Sequence, residues 1–433
     1  MPTSPAAALL KLEREVFARR TPRSRERFER ARAVFPGGDT RAATFYPPYP
    51  ATIAETAGSR LIDVDGNEYV DLLFNYTSMI AGHAHPAVTE AVAAAFARTT
   101  PVAAPVVGQV ELAEEIVRRV DSVEQLRFTN SGTEATMGAT RIARATTGRD
   151  VVIKTIGGYH GSFPDLDYGL QPEAYPAGIP SASPIRLIHY NDSDALEAVL
   201  ADSAGNCAAL IIEPVMGTAG IIPPSDEFLQ AARELTQAAG ALLIVDEVIT
   251  FRLARGGAQQ RLGIEPDLTT LGKIIGGGLP VGAVGGPAEL LAVLAPGAEK
   301  AVALSGTFNG NAATMAAGLA TLELLDGEAY AKLDRLGERL ADGLRVAVER
   351  TGVGGHVTHL GSLVNVHFTD EPPTDAGVSW SADADAAAAF HLGLMNRGFF
   401  VATRGLFAVS LVTTEDEIDR ALAVAEELLA KLA

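Results

Sequence analysis

Residues 241–278 read ALLIVDEVITFRLARGGAQQRLGIEPDLTTLGKIIGGG, and this stretch decides the fold. Its apolar run 241–245 closes on two carboxylates, Asp246 and Glu247, and a short apolar run bounded in this way is a buried parallel strand. Asp246 therefore stands at the carboxyl end of a strand, the edge at which open α/β sheets bind ligands. Further along, Lys273 is preceded by Leu-Gly and followed by Ile-Ile-Gly-Gly-Gly. Apolar neighbours and permissive glycines leave its ammonium poorly hydrated, which lowers its pKa and frees the amine for Schiff-base chemistry. Each signal alone has a plain alternative, an ordinary strand end and a solvated lysine in a glycine loop. Together they are the pattern of a pyridoxal phosphate lysine and its pyridinium partner, an expectation that the rest of the chain must decide.

With 433 residues and 47% hydrophobic content, the chain can bury a large core in two or more domains. A net charge of -18 argues against a nucleic-acid partner, because phosphate contacts need a basic surface. The lone Cys207 excludes an internal disulfide, and its apolar neighbours suit a buried structural thiol. The N-terminal MPTSPAAALLKLEREVFARR has too short an apolar patch for a secretory signal or a membrane span, so a cytoplasmic location is expected.

In chain order, residues 1–35 carry an Arg-rich helical pattern interspersed with Glu, expected to be solvated or packed on an acidic partner subunit. Asp65-Gly66 sits between alternating runs and signals a hairpin in a small antiparallel meander. From about residue 75 the runs QLRFTN, VVIKT, IRLIHY, AALIIEP, ALLIVDE and VGAVGG alternate with amphipathic stretches, so a mostly parallel sheet with crossover helices is expected. After residue 315 come three strand patterns, SLVNVHF, GFFVAT and LFAVSL, a polar loop EPPTDAGVSWSADAD, and a closing helix capped by Thr414. The expected division is 1–74 and 316–433 as two parts of a small α+β domain, with 75–315 as the large domain.

Asn130, Ser131, Gly132, Thr133 and Glu134 lie where a strand meets a helix, a place where free N–H groups and hydroxyls suit a phosphate. An ordinary helix cap uses the same residue types. Gly157-Gly158-Tyr159-His160-Gly161 follows another strand end; its glycines allow close backbone approach, and Tyr159 can stack on a flat heterocycle or fill the core. His83 and His85 lack a third ligand cluster and read as structural, with no metal expected.

The motifs FPGGDTR, DVDGNEYVDL, GHAHP, SGTEATMGATRIARATTGR, GGYHG, IIEPVMG, LLIVDEV, TTLGKIIGGGLPVGAVGG and SGTFNGNAATMAAGLATL occur in this order between residues 35 and 322, within a likeness that runs from about residue 34 to 425. In this the chain resembles the class III pyridoxal phosphate aminotransferases, in the branch holding glutamate-1-semialdehyde aminomutases and β-phenylalanine-type aminotransferases. The resemblance implies a fold type I α/β enzyme, a homodimer with shared active sites, and pyridoxal 5′-phosphate as cofactor. It implies that Lys273 carries the cofactor as a Schiff base and Asp246 pairs with the ring nitrogen. Val248 and Tyr159 would flank the ring, and Ser131, Gly132 and Thr133 would hold the phosphate, completed by Thr307 from the partner subunit. Glu213 would line the cofactor pocket. Where some relatives place a Gln contacting the cofactor's phenolic oxygen, this chain has Ile249.

For the substrate, Arg41 of FPGGDTR and Arg404 of Thr-Arg-Gly match positions that in β-phenylalanine-type aminotransferases bind carboxylates, a task suited to guanidinium. A surface arginine is the plain alternative for each. The aminomutases resemble this chain less in two places: they carry a longer segment with an acid ahead of the last strand, and Asn-Ser-Pro-Val-Arg in place of Asp39-Thr40-Arg41. The expectation is therefore transamination of a β-amino acid, aromatic ones included, with 2-oxoglutarate or pyruvate as acceptor. The alternatives are an aminomutase, an amine aminotransferase, and a non-catalytic pyridoxal-binding protein.

Overall fold

The computed structural model describes residues 4–170 and 184–433, so the first three residues of the expected N-terminal helical pattern lie outside it. The central sheet has seven strands in the spatial order Gln125–Thr129, Gly282–Gly286, Leu268–Gly272, Leu242–Asp246, Cys207–Ile212, Val151–Thr155 and Ile185–Ile188. Gly282–Gly286 runs antiparallel to both neighbours, and the other strands share one direction. Helices Gly132–Thr147, Ser193–Asp202 and Asp226–Ala239 make crossovers, each begun by a side-chain cap from Ser131, Asp192 or Ser225. This is an α/β fold with a large mixed sheet and smaller sheets.

Every apolar run expected as a strand of this sheet is one, but Leu268–Gly272 was not foreseen. Its polar Thr269 and Thr270 hide the signal, yet both are fully buried because tertiary partners satisfy their hydroxyls: Thr270 donates to Asp246 (3.0 Å), and Thr269 receives the Gln259 amide (3.4 Å). Lys273 is thus the residue immediately after a strand rather than a member of a free glycine loop, which puts it on the same sheet edge as Asp246.

The expected hairpin forms between Arg60–Asp63 and Glu68–Asp71, with Gly66 at φ 87°. Those strands, with Ile53–Ala57, belong to a four-stranded sheet whose far edge is Phe399–Phe400, so the two ends of the chain meet there. A three-stranded sheet joins His356–Leu360, Leu363–His367 and Leu406–Ala408; the first of these was missed because two histidines and a threonine break its apolar pattern. The stretch read as a polar loop contains the short helix Ala376–Trp380, capped by Asp375 and seated against Gly157 through the buried Ala376. The closing helix Glu415–Leu432 starts in a reciprocal capping box between Thr414 and Glu417.

The N-terminal arm forms the helices Pro5–Arg20 and Pro22–Ala31, and the first buries Leu9, Leu10 and Phe17 in this chain's own core. Cys207 is buried, and burial pushes its thiol up to about 11. His83 Nε2 lies 2.7 Å from Asp71 Oδ2, and the His85 carbonyl accepts from the first turn of Pro86–Arg98. Among the described residues no helix is long and apolar enough to cross a membrane, and no group of side chains is arranged to hold a metal ion.

Candidate active site

A cavity of about 590 Å³ opens at the carboxyl edge of the central sheet. Arg41, Ser131, Gly132, Thr133, Tyr159, Glu213, Asp246, Val248 and Lys273 all line it. Thr307 does not; it lies exposed on the loop after residue 304, at the outer surface of its own chain. Arg404 is also outside the lining; its guanidinium lies over the ring of Tyr76, the neighbour of the lining residue Asn75.

Asp246 ends its strand 3% exposed, and every hydrogen bond around it fixes its orientation. Oδ1 accepts from Thr270 Oγ1 (3.0 Å) and from the Val248 N–H (3.1 Å), while Oδ2 lies 2.8 Å from His160 Nδ1. His160 was not singled out as a site residue, although it stands next to Tyr159 in the Gly-Gly-Tyr-His-Gly motif. It is 1% exposed, and the Thr136 hydroxyl grips its carbonyl at 2.5 Å.

Lys273 follows at φ 48°, a backbone conformation that L residues rarely adopt, and it is partly buried. Burial pushes its ammonium down to about 8, against the opposing pull of the Asp246 and Glu213 carboxylates, with Arg404 and Arg41 adding to the depression. Glu213 is held by the N–H groups of Tyr159 and Gly217 (2.9 Å each), and burial raises its pKa. It thereby ties the Tyr159 loop to the end of strand Cys207–Ile212, a positioning role in addition to lining the pocket.

The helix Gly132–Thr147 points its N-terminus into the cavity, where the N–H groups of its first turn have no intrahelical acceptor. A Cβ on Gly132 would come within 3.0 Å of Val248, and one on Gly161 within 2.6 Å of the Thr133 Cα, so both glycines allow the close packing that shapes this cradle. Free N–H groups at the helix start, a carboxylate fixed at the opposite end and an amine whose pKa burial lowers to about 8 fit the phosphate, pyridine nitrogen and aldehyde of pyridoxal 5′-phosphate.

On the substrate side, Arg41 donates to Asn75 Oδ1 (2.8 Å), and the guanidinium carbons of Arg41 and Arg404 each lie 5.7 Å from the centre of the Tyr76 ring. Neither arginine forms an ion pair among the described residues, and Arg404 Nε is buried without a hydrogen-bond partner. Asn75 and Tyr76 were not foreseen, since they sit in a left-handed turn, Phe74–Thr77, that no local pattern announces.

Fold and site together define a pyridoxal 5′-phosphate enzyme of fold type I. The sequence model for Aminotransferase class-III matches residues 42–429, and the chain belongs to that family. It is similar to the glutamate-1-semialdehyde 2,1-aminomutase of Thermomicrobium roseum, with 41% identity over 94% of this chain and 97% of that one. Other curated relatives at similar identity carry the same description. Among solved structures it is similar to an omega-transaminase from Sphaerobacter thermophilus (38% identity, TM-score 0.91, covering 94% and 97% of the two chains). It is also similar to a β-phenylalanine aminotransferase from Variovorax paradoxus (36%, TM-score 0.92, 98% and 97%). Structurally similar chains hold the cofactor as PLP or PMP. The curated relatives favour the aminomutase alternative over the β-amino-acid transamination expected from the two arginines and the C-terminal departures.

Proposed function

We propose that this enzyme transfers an amino group within or between small molecules that carry a carboxylate, and that the Arg41–Tyr76–Arg404 cluster beside Lys273 holds that carboxylate. The observation that carries this reading is that the Arg41 and Arg404 guanidiniums, neither of which forms an ion pair among the described residues, gather on the Tyr76 ring next to the cavity-lining Asn75. Of the two forms, the aminomutase form has the better support from the curated relatives. In it the amino group of glutamate-1-semialdehyde moves from C2 to C1, giving 5-amino-4-oxopentanoate with no second substrate. Transamination of a β-amino acid is the second reading. It is favoured by the presence of two cationic grips, which suit separate donor and acceptor carboxylates, and by the lack of any acid in residues 398–410.

Bound pyridoxal 5′-phosphate supplies an electron sink for the carbon that bears the substrate nitrogen. Ser131, Gly132 and Thr133 would hold its phosphate at the helix N-terminus, and Asp246, oriented by His160 and Thr270, would hold a proton on the ring nitrogen. Tyr159 and Val248 would enclose the ring from its two faces. Lys273 Nζ, released when the substrate amine takes its place, would move the proton off the substrate carbon. Its lowered pKa keeps a useful fraction neutral near pH 8.

A homodimer belongs to the same proposal. Val107, Val110 and Phe308 are 78%, 60% and 56% exposed, and Gln109 is hydrogen-bonded to the Gly310 carbonyl, so these apolar side chains surround the Thr307 loop. A second copy seated there would bring Thr307 of the partner subunit to the phosphate.

The deciding experiment supplies the cofactor-loaded enzyme with glutamate-1-semialdehyde alone. Formation of 5-amino-4-oxopentanoate supports the aminomutase form. Turnover only when a β-amino acid is combined with 2-oxoglutarate or pyruvate supports the second reading. If neither mixture changes the cofactor spectrum, amino transfer on carboxylated substrates is wrong.

A further inference from the structure

Arg252 is fully buried and forms no ion pair with a carboxylate among the described residues. Burying a cation in that way is costly unless all of its donors are used. Each of the three Arg252 nitrogens donates one hydrogen bond, on three separate parts of the chain: Nε to Ser362 Oγ (2.9 Å), Nη1 to the Thr77 carbonyl (2.9 Å), and Nη2 to the Val409 carbonyl. Arg252 belongs to the short helix Thr250–Leu253, which is separated from Asp246 and Glu247 only by Val248 and Ile249. Glu247 anchors that segment from below, accepting from the N–H groups of Ala258 (3.0 Å) and Gln259 (2.7 Å).

The Thr77 carbonyl closes the turn Phe74–Thr77, whose four residues stand at φ 49°, 50°, 52° and 76°. None is a glycine, so the conformation must be imposed from outside. Asp71 imposes it at the start, where Oδ1 accepts the N–H groups of Leu73 and Phe74 (2.8 Å each), and Arg252 imposes it at the end. Between these two fixed points the turn presents Asn75 to Arg41 and Tyr76 to both Arg41 and Arg404. The Tyr76 hydroxyl also donates to the Ala43 carbonyl, two residues beyond Arg41.

We propose that Asp71 and Arg252 are positioning residues that clamp this left-handed turn and so aim Arg41 and Arg404 at the substrate carboxylate. Arg252 thereby couples the strand that carries Asp246 to the substrate-recognising side of the cavity. The inference rests on the carboxylate reading of the two arginines.

The test compares donors that differ in their carboxylate, 5-amino-4-oxopentanoate against 1-aminobutan-2-one for the aminomutase form and 3-amino-3-phenylpropanoate against 1-phenylethylamine for the second reading, in single-turnover bleaching of the cofactor-loaded enzyme with the pair whose carboxylated member it accepts. Arg252→Lys and Asp71→Asn are each expected to raise KM for the carboxylated donor about tenfold to a hundredfold, as a small displacement of a binding group does. The maximal bleaching rate, the reaction with the amine and the absorbance of the lysine-bound cofactor are expected to stay unchanged. Equal losses with both donors, no loss with either, or failure of both variants to fold would assign these residues to general stability and overturn the clamp. Arg41→Ala and Arg404→Ala serve as controls. If they leave the preference for the carboxylated donor intact, the carboxylate reading itself has failed; if they abolish it while the clamp variants do not, only the clamp has failed.

Discussion

At Lys273 one side chain carries the consequences of two neighbouring features, the strand end that places it and the burial that lowers its pKa. Burial lowers the lysine ammonium from its ordinary value to about 8. Without cofactor, the neutral amine therefore predominates above pH 8, and the rate at which the protein binds pyridoxal 5′-phosphate covalently is expected to rise with pH and level off just beyond that value. The absorbance of the lysine-bound cofactor follows this directly. Asp246→Asn removes the carboxylate that most favours the ammonium, so the profile should move to lower pH; an unmoved profile would contradict the coupling. His160 acts through Asp246. Replacing it, as in His160→Ala, frees one carboxylate oxygen and should reduce the maximal rate about tenfold to a hundredfold, as the loss of an outer-shell partner does, while the folded spectrum is retained. All three residues were visible in the sequence, but only Lys273 and Asp246 announced their chemistry. His160 needed the tertiary structure, because the two hydrogen-bonding groups lie 86 residues apart.

Among the elements, helix starts follow local rules and were legible, whereas strands with buried hydroxyls were not. The Thr414 capping box is a local pattern, and Thr414→Ala is expected to cost about 1 kcal/mol in urea unfolding with turnover unchanged. The loop after Val151–Thr155 is more demanding. Gly161 stands at φ 96°, and a Cβ there would meet the backbone of Thr133 at 2.6 Å, so Gly161→Ala must push the helix N-terminus away from the cavity. We expect a loss of about 1–3 kcal/mol in thermal unfolding together with weaker cofactor binding in a titration; retained affinity would mean that the cradle does not depend on this contact. Leu268–Gly272 and His356–Leu360 escaped a pattern-based reading for a common reason. Their polar side chains are paid for by distant partners, Asp246 and Gln259 in one case and the Gly220 carbonyl beside Thr358 in the other, and periodicity carries no trace of such partners.

Over the whole molecule, the exposed apolar side chains around the Thr307 loop are the feature a single chain leaves unexplained. Phe308→Glu is expected to shift the protein from dimer to monomer in sedimentation and to weaken cofactor retention, because Thr307 would no longer reach a neighbouring site; a dimer with undiminished retention would contradict the shared-site proposal. The sequence alone determined the cofactor, the sheet class and most of the residues that line the central cavity, because strand ends, helix caps and glycine turns are encoded locally in the residues that use them. Tertiary structure alone decided how the Arg41–Tyr76–Arg404 cluster is built. The turn Phe74–Thr77 adopts a conformation its residues do not favour, and it costs about 1–2 kcal/mol per residue in isolation. It exists because Asp71, Arg252 and Ala43 hold it, and these contacts span from near neighbours to residues 175 positions away.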